Sequence, residues 1–433
     1  MPEHIRPDEQ RSWENVEQML SVDDARERIL MAFSPLPAVN VPLLDAFDLI
    51  LAEDVIAGEN VPPFRNSAMD GYAVRAADTE GVANARGVRL RVIADLAAGY
   101  PAEVTVAAGT ATRIMTGAPM PDGADAVVRF EETDEERASD ESETSRVVTI
   151  RKAMRAGENV RFPGEDLRAG EVILPAGTRL RPAEIGVLAA LNRATVPVHR
   201  RPDIAILSTG DEVIDLGPPL RPGQIRNSNS YLLAAMVRQF GGVPHLFGIA
   251  ADSIDDLSAR LRACREMDMI VTSGGVSLGD YDMVKDVLQA EGEIAIWQVR
   301  MKPGKPLAFG HIGGTPTLGL PGNPVAAAVS FAQFGRAAIL KMLGNGELVI
   351  PTVTATLTER LDNHGRRRHF VRARLERGEN GDYVVRQAGE QGAGVLSSLS
   401  RANGLLIIPE ECRVAEPGMC FQVELLDWPA TGL

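Results

Sequence analysis

The sequence predicts a multidomain protein that combines an α/β domain with two all-β modules. Strand-like and helix-like segments alternate over residues 201–344, short β-like runs with Gly and Pro between them fill residues 62–150, and β alternation returns over residues 350–433. Alternating strands and helices predict a parallel sheet that is covered on both faces. A chain of 433 residues is also too long to fold around a single hydrophobic core, so we expect about three domains.

Composition and charge narrow the class of protein. Hydrophobic residues form 45% and charged residues 24% of the chain, as in ordinary globular proteins. The net charge of -14 argues against a nucleic-acid or membrane partner, although local Lys and Arg side chains can still hold an anionic small ligand. The N-terminus lacks the apolar core of a signal peptide and no later run is long and apolar enough for a membrane span, so we expect a cytoplasmic protein.

Cysteine and histidine residues indicate neither a disulfide framework nor a zinc site. Cys264, Cys412 and Cys420 are unevenly spaced, and the six His residues form no close cluster. His364 and His369 flank a basic run at residues 366–368. We interpret that run as a solvated turn, with contact to an anion as the alternative.

Helical spacing occurs on both sides of the first β module. Residues 13–33 predict two short helices, with Ser21 or Asp23 capping the second, and residues 182–194 predict another helix with Pro182 in its first turn. Between them, β-like runs predict strands at residues 88–94, 111–115, 126–130 and 147–150. The acidic stretch at residues 131–145 is interpreted as a flexible loop.

Alternating apolar runs define the α/β module. The predicted strands cover residues 204–208, 243–250, 269–271, 294–299, 307–309 and 317–320, and the predicted helices cover residues 230–240, 254–264 and 324–343. Asn323 followed by Pro324 is a favourable start for the last helix, because Asn is a good N-cap and Pro suits the first helical position.

One stretch of this module, DMIVTSGGVSLGDYDMVK at residues 268–285, predicts a strand, a Gly-rich loop and a helix in succession. In an open parallel sheet the carboxyl ends of the strands form the ligand crevice, and a Gly-rich turn there lets backbone N–H groups approach an anion. Ser277, Asp280 and Asp282 supply oxygen groups that suit a hard cation. The alternative is a structural turn whose aspartates cap the next helix.

Two further turns of the α/β module carry charge that ordinary turns do not need. In STGDEV, Asp211 and Glu212 follow the first strand, and we expect them to share the crevice with Asp280 and Asp282. Carboxylates that converge there repel unless a cation such as Mg²⁺ lies among them. In MKPGKP, Lys302 and Lys305 form a rigid cationic pair, and the helix N-terminus in LPGNP also favours anions. A solvated lysine pair is the alternative.

The first β module carries two weaker signals. Asp70 precedes Gly71 in PPFRNSAMDGYA, where an Asp-Gly turn is the alternative, and Thr116 and Gly117 end a strand in MTGAPMPDGADAV.

Taken together, these motifs place acidic groups for a divalent metal beside a basic corner for oxyanions, which is the combination that phosphoryl-group chemistry requires. The residues therefore predict that class of chemistry.

Long motifs in a fixed order extend this prediction. They are PPFRNSAMDGYA, RIMTGAPMPDGADAVV, GEDLRAG, LSTGDEV, GQIRNSNSYLL, TSGGVSLGDYDMVK, MKPGKP and LPGNPVAAAVSF. From about residue 22 to the C-terminus, the chain resembles the molybdopterin molybdenumtransferase family, which includes bacterial MoeA and the E domain of gephyrin.

The resemblance implies a multidomain α/β plus β fold. Its parts are a discontinuous helical domain that carries a β insertion, a MogA-like three-layer α/β domain with a mostly parallel sheet, and a C-terminal β barrel. The implied boundaries are residues 11–56 and 168–200 for the helical domain, 57–167 for the insertion, 201–349 for the α/β domain and 350–433 for the barrel. An elongated homodimer is also implied.

The implied reaction consumes adenylyl-molybdopterin and molybdate in a Mg²⁺-dependent step that inserts molybdenum and releases AMP. Molybdopterin adenylyltransferase and molybdoenzyme chaperones are further expected partners. Two alternatives stay open: a non-enzymatic scaffold like the gephyrin E domain, and insertion of tungstate in place of molybdate.

The resemblance also implies roles for individual residues. The implied catalytic residues are Asp70, Thr116, Asp166, Glu212 and Asp282, and we expect Asp282 with Glu212 or Asp252 to hold Mg²⁺. The implied substrate-binding residues are Arg161, Ser273, Gly274, Gly275, Ser277, Lys302, Lys305, Pro321, Asn323 and Pro324. In a homodimer, Asp70 and Thr116 are expected to complete the site of the other subunit.

Three positions depart from the family pattern. Arg65 stands where the family often has Asp, Ala326 stands where it often has Ser, and Ala393 lies in a turn that is often Gly-Ser-Gly. Each departure removes the polar group that the family often carries at that position, so the side-chain contacts of the family are not expected from these positions.

Overall fold

The computed structural model describes residues 19–83, 87–134, 147–251, 253–275 and 292–426. The chain splits into two compact units. The α/β-barrel unit comprises Met1–Val41, Asp48–Ala52 and Pro197–Leu433, and the β-rich unit comprises Pro42–Phe47 and Glu53–Val196. The division into four domains stays a prediction.

The described strands are numbered in chain order. They are β1 (Ala38–Pro42), β2 (Val55–Ile56), β3 (Asn66–Ser67), β4 (Gly71–Val74), β5 (Val88–Leu96), β6 (Thr110–Ile114), β7 (Ala126–Arg129), β8 (Val147–Ile150), β9 (Val160–Arg161), β10 (Val172–Leu174), β11 (Thr195–His199), β12 (Asp203–Thr209), β13 (Val213–Ile214), β14 (Ile225–Arg226), β15 (Val243–Ala250), β16 (Met269–Ser273), β17 (Gly292–Gln298), β18 (Met301–Lys302), β19 (Pro306–Ile312), β20 (Thr315–Leu320), β21 (Thr352–Leu357), β22 (Leu361–Asp362), β23 (Arg368–Arg377), β24 (Tyr383–Gln387), β25 (Gly404–Ile408), β26 (Val414–Ala415) and β27 (Cys420–Leu425).

The described α-helices are numbered in the same way. They are α1 (Val22–Leu30), α2 (Pro182–Ala190), α3 (Ser228–Gln239), α4 (Ile254–Ala263), α5 (Pro324–Met342) and α6 (Ser397–Arg401), and α5 contains a π-helical segment at Phe331–Gly335. Short 3-10 helices cover Leu43–Ala46, Ala76–Ala83 and Phe130–Glu132.

Local sequence accounts for the helix starts. The Ser21 hydroxyl accepts a hydrogen bond from the Asp24 N–H over 3.0 Å, which confirms Ser21 as the cap of α1. Pro182 occupies the first turn of α2, as predicted. The earlier of the two helices predicted for residues 13–33 falls largely before the described residues.

The α/β-barrel unit is built on a six-stranded sheet in the order β15-β12-β16-β20-β19-β17. The first four strands are parallel to one another, β19 is antiparallel to β20, and β17 is antiparallel to β19. Ile204 and Ile206 of β12 pack on one face with α3 and α5, whereas Ala205 and Leu207 pack on the other face with Leu257 of α4. This alternation confirms the predicted three-layer α/β domain with a mostly parallel sheet.

The C-terminal strands close into a five-stranded barrel. The order β23-β24-β21-β27-β25 returns to β23, because β23 pairs with both β24 and β25. Closure pairs the strand edges, and Val371, Val385 and Val423 are buried in its core. β18 adds to the barrel as a strand parallel to β23, so it ties the lysine turn to this module. The predicted barrel is confirmed.

The β-rich unit contains a five-stranded sheet in the order β7-β4-β6-β5-β8. The four strands predicted from β-like runs correspond to β5, β6, β7 and β8. Gly71 in β4 has a steric reason, since a Cβ there would overlap the carbonyl oxygen of Val128.

The acidic stretch begins as ordered structure rather than as a loop. Glu132 lies in a 3-10 helix and pairs with Arg129 over 2.8 Å and with Lys152 over 3.1 Å. Asp134 accepts a hydrogen bond from the Thr149 N–H over 2.8 Å. The prediction of a flexible loop was therefore wrong for these first residues, and residues 135–145 lie outside the described residues.

Helix α5 corrects another prediction. Pro324–Met342 is long and apolar enough to cross a membrane, although no such run was expected from the sequence. In the structure, 83% of its most apolar window is buried inside the protein. Phe331 and Phe334 belong to the large core cluster of the α/β-barrel unit, which is the environment of a core helix.

A buried polar network joins α1, α5 and β27 within the α/β-barrel unit. The Gln333 amide donates to the Glu424 carboxylate over 2.7 Å and accepts from the Arg26 guanidinium over 3.2 Å. Burial raises the pKa of Glu424 to about 7, and this outweighs the Gln333 hydrogen bond and the charges of Arg26, Arg336 and Arg368, which lower it. Glu424 therefore titrates near neutral pH.

This carboxylate should give the protein a pH-dependent stability. Because the pKa of Glu424 is higher in the folded state (about 7) than its ordinary value of 4.5, its contribution is fully present below pH 4.5 and is lost as the pH rises toward 7. From pH 5 to pH 8, we expect the free energy of unfolding of the wild type to fall by about 3 kcal/mol more than that of Glu424→Gln. Urea unfolding at both pH values measures the difference.

The matched control for this prediction is Glu379→Gln, which removes an exposed carboxylate from a hairpin of the barrel. The control should follow the wild-type pH dependence. An unchanged pH dependence in Glu424→Gln would show that Glu424 is not the titrating group.

Candidate functional site

The crevice lies at the carboxyl ends of β12, β16 and β20, which are neighbours in the main sheet. Ser273 ends β16 and is buried, and the Gly274 N–H donates to the Leu320 carbonyl oxygen at the end of β20 over 3.0 Å. Gly274 and Gly275 have φ angles of 98° and 69°, which suit glycine. The structure thus places the start of the predicted Gly-rich turn at the crevice.

Asn229 in the first turn of α3 connects two walls of the crevice. Its amide N–H₂ donates to the Ser273 hydroxyl over 2.7 Å and to the Gly322 carbonyl oxygen over 2.8 Å. Its Oδ1 atom is buried without a hydrogen-bond partner. Asn229 was not predicted to belong to the site, although it lies within the GQIRNSNSYLL motif. An acceptor left unpaired at a crevice is suited to a ligand N–H group.

The LPGNP turn forms the third wall. A Cβ built on Gly322 would lie 3.6 Å from Cα of Gly274, so the two turns are in contact. Pro321 is buried, and Asn323 and Pro324 begin α5 as predicted, although the Asn323 side chain makes no capping hydrogen bond. The structure therefore brings Ser273, Gly274 and the LPGNP turn together.

The lysine turn is held by both the sheet and the barrel. Lys302 lies in β18, where it is paired with His369 of β23, and the Val299 N–H donates to the Lys305 carbonyl oxygen over 2.8 Å. Between the two lysines, Gly304 has a φ angle of 102°, and a Cβ there would overlap the Ser330 hydroxyl of α5. This contact is why the turn requires glycine.

Five basic side chains form a cationic cluster, defined here as Lys302, Lys305, Arg367, His369 and Arg372. Burial lowers the pKa of Lys302, with a further contribution from Arg367 and Arg372, and burial with Arg367 lowers the pKa of Lys305. In the described residues, no carboxylate pairs with any member of the cluster. Buried like charges repel one another, so the cluster is suited to bind an anion.

Arg372 is the most buried member of the cluster. It is 0% exposed, and burial lowers its pKa to about 10. Its Nε donates to the Ser398 hydroxyl over 3.1 Å, and Nη2 donates to the Gly392 carbonyl oxygen over 3.1 Å. Nη1 is buried without a partner. A guanidinium held in place with one free donor is prepared for an oxyanion oxygen.

The interpretation of residues 366–368 as a solvated turn was wrong for two of its three residues. Arg367 is partly buried among the lysines, and Arg368 pairs with Asp23 over 2.8 Å. Arg372 and His369 were not assigned to the site from the sequence. For Arg372 the sequence did contain a signal, a charged residue inside the apolar β run of residues 370–375. A buried Arg needs a partner, so its position there indicates a binding site or an ion pair.

A chain of backbone contacts joins the cationic cluster to the crevice within the α/β-barrel unit. Arg372 donates to the Gly392 carbonyl oxygen, and the next carbonyl, that of Ala393, accepts from the Val325 N–H of α5 over 3.0 Å. Val325 follows Asn323 and Pro324, which border the crevice. The two parts of the predicted site are therefore neighbours.

The predicted metal ligands are only partly described. Glu212 follows β12, is exposed, and its carboxylate lies against Gly210, where a Cβ would come within 2.5 Å of Oε2. Across the described ranges, no group of three acidic, His or Cys side chains is arranged to hold a metal ion. Asp252, Ser277 and Asp282 lie outside the described residues, so their assignment stays a prediction.

Asp70 and Thr116 form a defined pair in the β-rich unit. The Asp70 Oδ1 atom accepts hydrogen bonds from the Thr116 N–H over 2.7 Å and from the Thr116 hydroxyl over 2.8 Å. These two bonds lower the pKa of Asp70, so the group is a carboxylate at neutral pH. It is therefore suited to accept hydrogen bonds from a ligand rather than to donate a proton.

Of the other predicted residues of this unit, Arg161 is connected to the same pair through strand pairing, whereas Asp166 lies in a bend after β9. Arg161 is exposed in β9 and is paired with Asn66 of β3, and the neighbouring Ser67 carbonyl oxygen accepts from the Gly117 N–H over 2.8 Å. The Asp166 side chain is exposed, and its N–H donates to the Val61 carbonyl oxygen over 3.0 Å.

The three departures from the family pattern have different settings. Arg65 is exposed, Ala326 is buried in α5, and Ala393 contacts α5 through its backbone carbonyl. The contact from Ala393 to α5 therefore does not depend on its side chain.

Three known families match successive parts of the chain. Residues 20–192 match the MoeA N-terminal region (domain I and II), residues 205–341 match a family described as a probable molybdopterin binding domain, and residues 354–426 match the MoeA C-terminal region (domain IV). Together these matches follow the order that the sequence motifs indicated.

Similar whole proteins cover nearly all of the chain. Molybdopterin molybdenumtransferase 2 of Mycobacterium tuberculosis is 39% identical over 412 residues, which cover 94% of this chain and 99% of that protein. A molybdopterin molybdenumtransferase of Nostoc is 40% identical over 376 residues, which cover 85% of this chain and 84% of that protein. The crystal structure of a molybdopterin biosynthesis moeA protein from Pyrococcus horikoshii superimposes with a TM-score of 0.79 at 29% identity, covering 94% of this chain and 100% of that one. The resemblance and the fold class predicted from the sequence are confirmed.

Proposed function

Because this chain belongs to the MoeA family of molybdopterin molybdenumtransferases, we propose that it inserts molybdenum from molybdate into adenylyl-molybdopterin and releases AMP. A role in molybdenum cofactor biosynthesis follows from the family. The observation that carries the finer proposal is the cationic cluster, which has no carboxylate partner in the described part of the chain and adjoins the crevice.

Molybdate is a tetrahedral dianion, and we assign its oxygens to the cationic cluster. Lys302 and Lys305 supply compact charges from one rigid turn, Arg367 adds charge, and the unpaired Nη1 of Arg372 supplies a directed donor. Tungstate has the same shape and charge, so competition between the two oxyanions for the purified protein measures which one the cluster prefers.

The crevice is assigned to adenylyl-molybdopterin. α5 begins at the crevice, so its N-terminus favours a pyrophosphate, and backbone N–H groups of the Gly-rich turn are proposed to contribute in the same way. Oδ1 of Asn229 is buried and unpaired, so it is suited to accept a hydrogen bond from an N–H group of the substrate. Asn229 Nδ2 fixes that orientation through its bonds to Ser273 and Gly322.

Mg²⁺ would be held by Glu212, Asp252 and Asp282. Glu212 fits this role, because its carboxylate is exposed beside β12 and makes no side-chain hydrogen bond or ion pair within the described ranges. Carboxylate oxygens are the donors that Mg²⁺ prefers. When bound, the ion would neutralise charge on the phosphate oxygens.

The protein acts mainly by holding two anions next to each other. Attack of water or of a molybdate oxygen on the phosphorus bound to molybdopterin breaks its bond to the bridging oxygen, and AMP leaves with that oxygen and the electron pair of the bond. The cluster offsets the repulsion between the approaching anions, and positioning lowers the barrier further. In a homodimer, ionised Asp70, which is hydrogen-bonded to Thr116, would accept a hydrogen bond from a ligand donor at the site of the other subunit. No covalent protein intermediate is required.

The reaction itself tests the proposal. Purified protein supplied with adenylyl-molybdopterin and Mg²⁺ should release AMP only when molybdate is added, and Asp282→Ala should abolish this release. Asp382→Ala is the control, since it removes an exposed carboxylate from a barrel hairpin. AMP release that ignores molybdate would exclude the proposed reaction, and full activity of Asp282→Ala would remove that carboxylate from it.

We also propose that the protein works as a homodimer, as the family resemblance implies. Light scattering on the purified protein measures its mass in solution. Mixing inactive Asp70→Ala and Lys302→Gln proteins should restore some activity if each site draws on both subunits, and no recovery after subunit exchange would contradict a shared site.

A further inference from the structure

One member of the cationic cluster has no role in the reaction described above, the imidazole of His369. This side chain is 6% exposed, and both ring nitrogens are buried without a hydrogen-bond partner. Burying a polar group without replacing its bonds to water is unfavourable. A side chain kept in this state indicates that a ligand supplies the missing bond.

Among the described residues, every charged group that acts on this imidazole is a cation. Lys302 faces it from β18, Arg367 from the turn before β23, and Arg372 from β23 itself. On the other side β23 is paired with β25. Glu410, which follows β25, is engaged by another arginine over 3.2 Å and is not among the groups that act on His369. His369 therefore lies among positive charges that no carboxylate of the described chain offsets.

From this geometry we infer that His369 takes up a proton from solvent when an oxyanion binds in the cationic cluster, and that the resulting imidazolium donates an N–H to an oxyanion oxygen. The inference rests on the proposed function, because it takes molybdate as the bound oxyanion. His369 is then a switchable charge, neutral in the free protein and positive in the complex.

The charges around His369 are consistent with proton uptake on oxyanion binding. Burial, together with Lys302, Arg372 and Arg367, lowers the pKa of His369 to about 3, so the ring is neutral at pH 7 in the free protein. One opposite charge within about 4–6 Å moves a pKa by about 1 to 3. A dianion brings two such charges and also offsets the neighbouring cations, which favours protonation near neutral pH. Linkage then requires that oxyanion affinity rise as the pH falls.

Calorimetric titration of the whole protein with molybdate tests the inference. Titrations at pH 7 in two buffers of different ionisation enthalpy count the protons exchanged. We expect uptake of roughly 0.5 to 1 proton per oxyanion bound by the wild type, and an affinity several-fold higher at pH 6 than at pH 8. Sulfate, a tetrahedral dianion that is not itself protonated in this range, should show the same uptake.

Two variants locate the proton. His369→Asn should bind about tenfold more weakly, without proton uptake and with little dependence on pH. His364→Asn changes an exposed histidine near the same turn and should behave as the wild type. The wild-type measurement does not depend on how well His369→Asn folds.

The outcomes separate this inference from the proposed function. Wild-type binding without proton uptake overturns the inference and leaves the proposed function standing. Uptake that persists in His369→Asn assigns the proton to a lysine and also overturns the inference. Failure of the wild type to bind molybdate at all overturns both.

Discussion

Replacing Lys302 with Gln is expected to reduce molybdate-dependent AMP release by about 100-fold or more. This is the size of effect that follows from removing one preorganised hydrogen-bond donor to a reacting anion. Lys302 interacts electrostatically with three other members of the cationic cluster. The charges of Arg367 and Arg372 lower its pKa, and its own charge lowers the pKa of His369. Gln keeps the length of much of the side chain and removes its charge. A coupled assay for AMP measures the rate.

Binding and catalysis are separated by titrating the same variant with molybdate. If Lys302 binds an oxyanion oxygen, Lys302→Gln should also lose oxyanion affinity, whereas a purely structural lysine would lower thermal stability and leave affinity intact. Lys152→Gln is the control, because that lysine pairs with Glu158 over 2.8 Å in the β-rich unit. Wild-type activity in Lys302→Gln would contradict the assignment of the oxyanion to this cluster.

Gly304→Ala is expected to give the second large effect, a loss of about 3 kcal/mol in the free energy of unfolding together with loss of oxyanion binding. The residue has a φ angle of 102°, which disfavours any side chain, and the added methyl group would overlap the Ser330 hydroxyl. Relief of the overlap must move the turn that holds Lys302 and Lys305. Chemical unfolding and molybdate titration measure the two consequences.

The chain offers a matched glycine for this test. Gly314 has a similar φ angle of 91°, but a Cβ there would meet nothing within 4 Å. Gly314→Ala should therefore show only the backbone cost of a positive φ angle, with oxyanion affinity unchanged. Equal effects of the two substitutions would show that contact with α5 does not determine the position of the lysine turn.

The secondary structure was largely accessible from the sequence because its signals are local. β15 was predicted with the bounds it has, and α1 begins after the predicted cap Ser21. The error at Glu132 has a tertiary cause, since its order depends on pairing with Lys152 across the chain. The environment of α5 also depends on tertiary structure. A core helix and a membrane span have the same apolar composition, and only packing shows that α5 is a core helix.

The candidate site was predictable only in part. Lys302, Lys305, Ser273 and Gly274 were identified because Gly and Pro around them mark rigid turns that ordinary packing does not need. Arg372, His369 and Asn229 lie inside a strand or a helix, where the sequence shows a charged or polar residue and no sign of what it faces. Their unpaired atoms become evident only from the packed structure.

The order of strands and helices, the turns with special glycines and the family of the chain were determined by the sequence itself, because periodicity, turn chemistry and motif order are properties of neighbouring residues. The sequence indicated only the lysine pair of the cationic cluster, and the addition of Arg367, His369 and Arg372 was decided by the tertiary structure. Closure of the barrel and the pairing of β18 with β23 bring a lysine turn of the α/β sheet against basic residues of the barrel that lie far along the chain. Burial then keeps water and carboxylates away from these charges, and that environment makes them suited to bind an oxyanion.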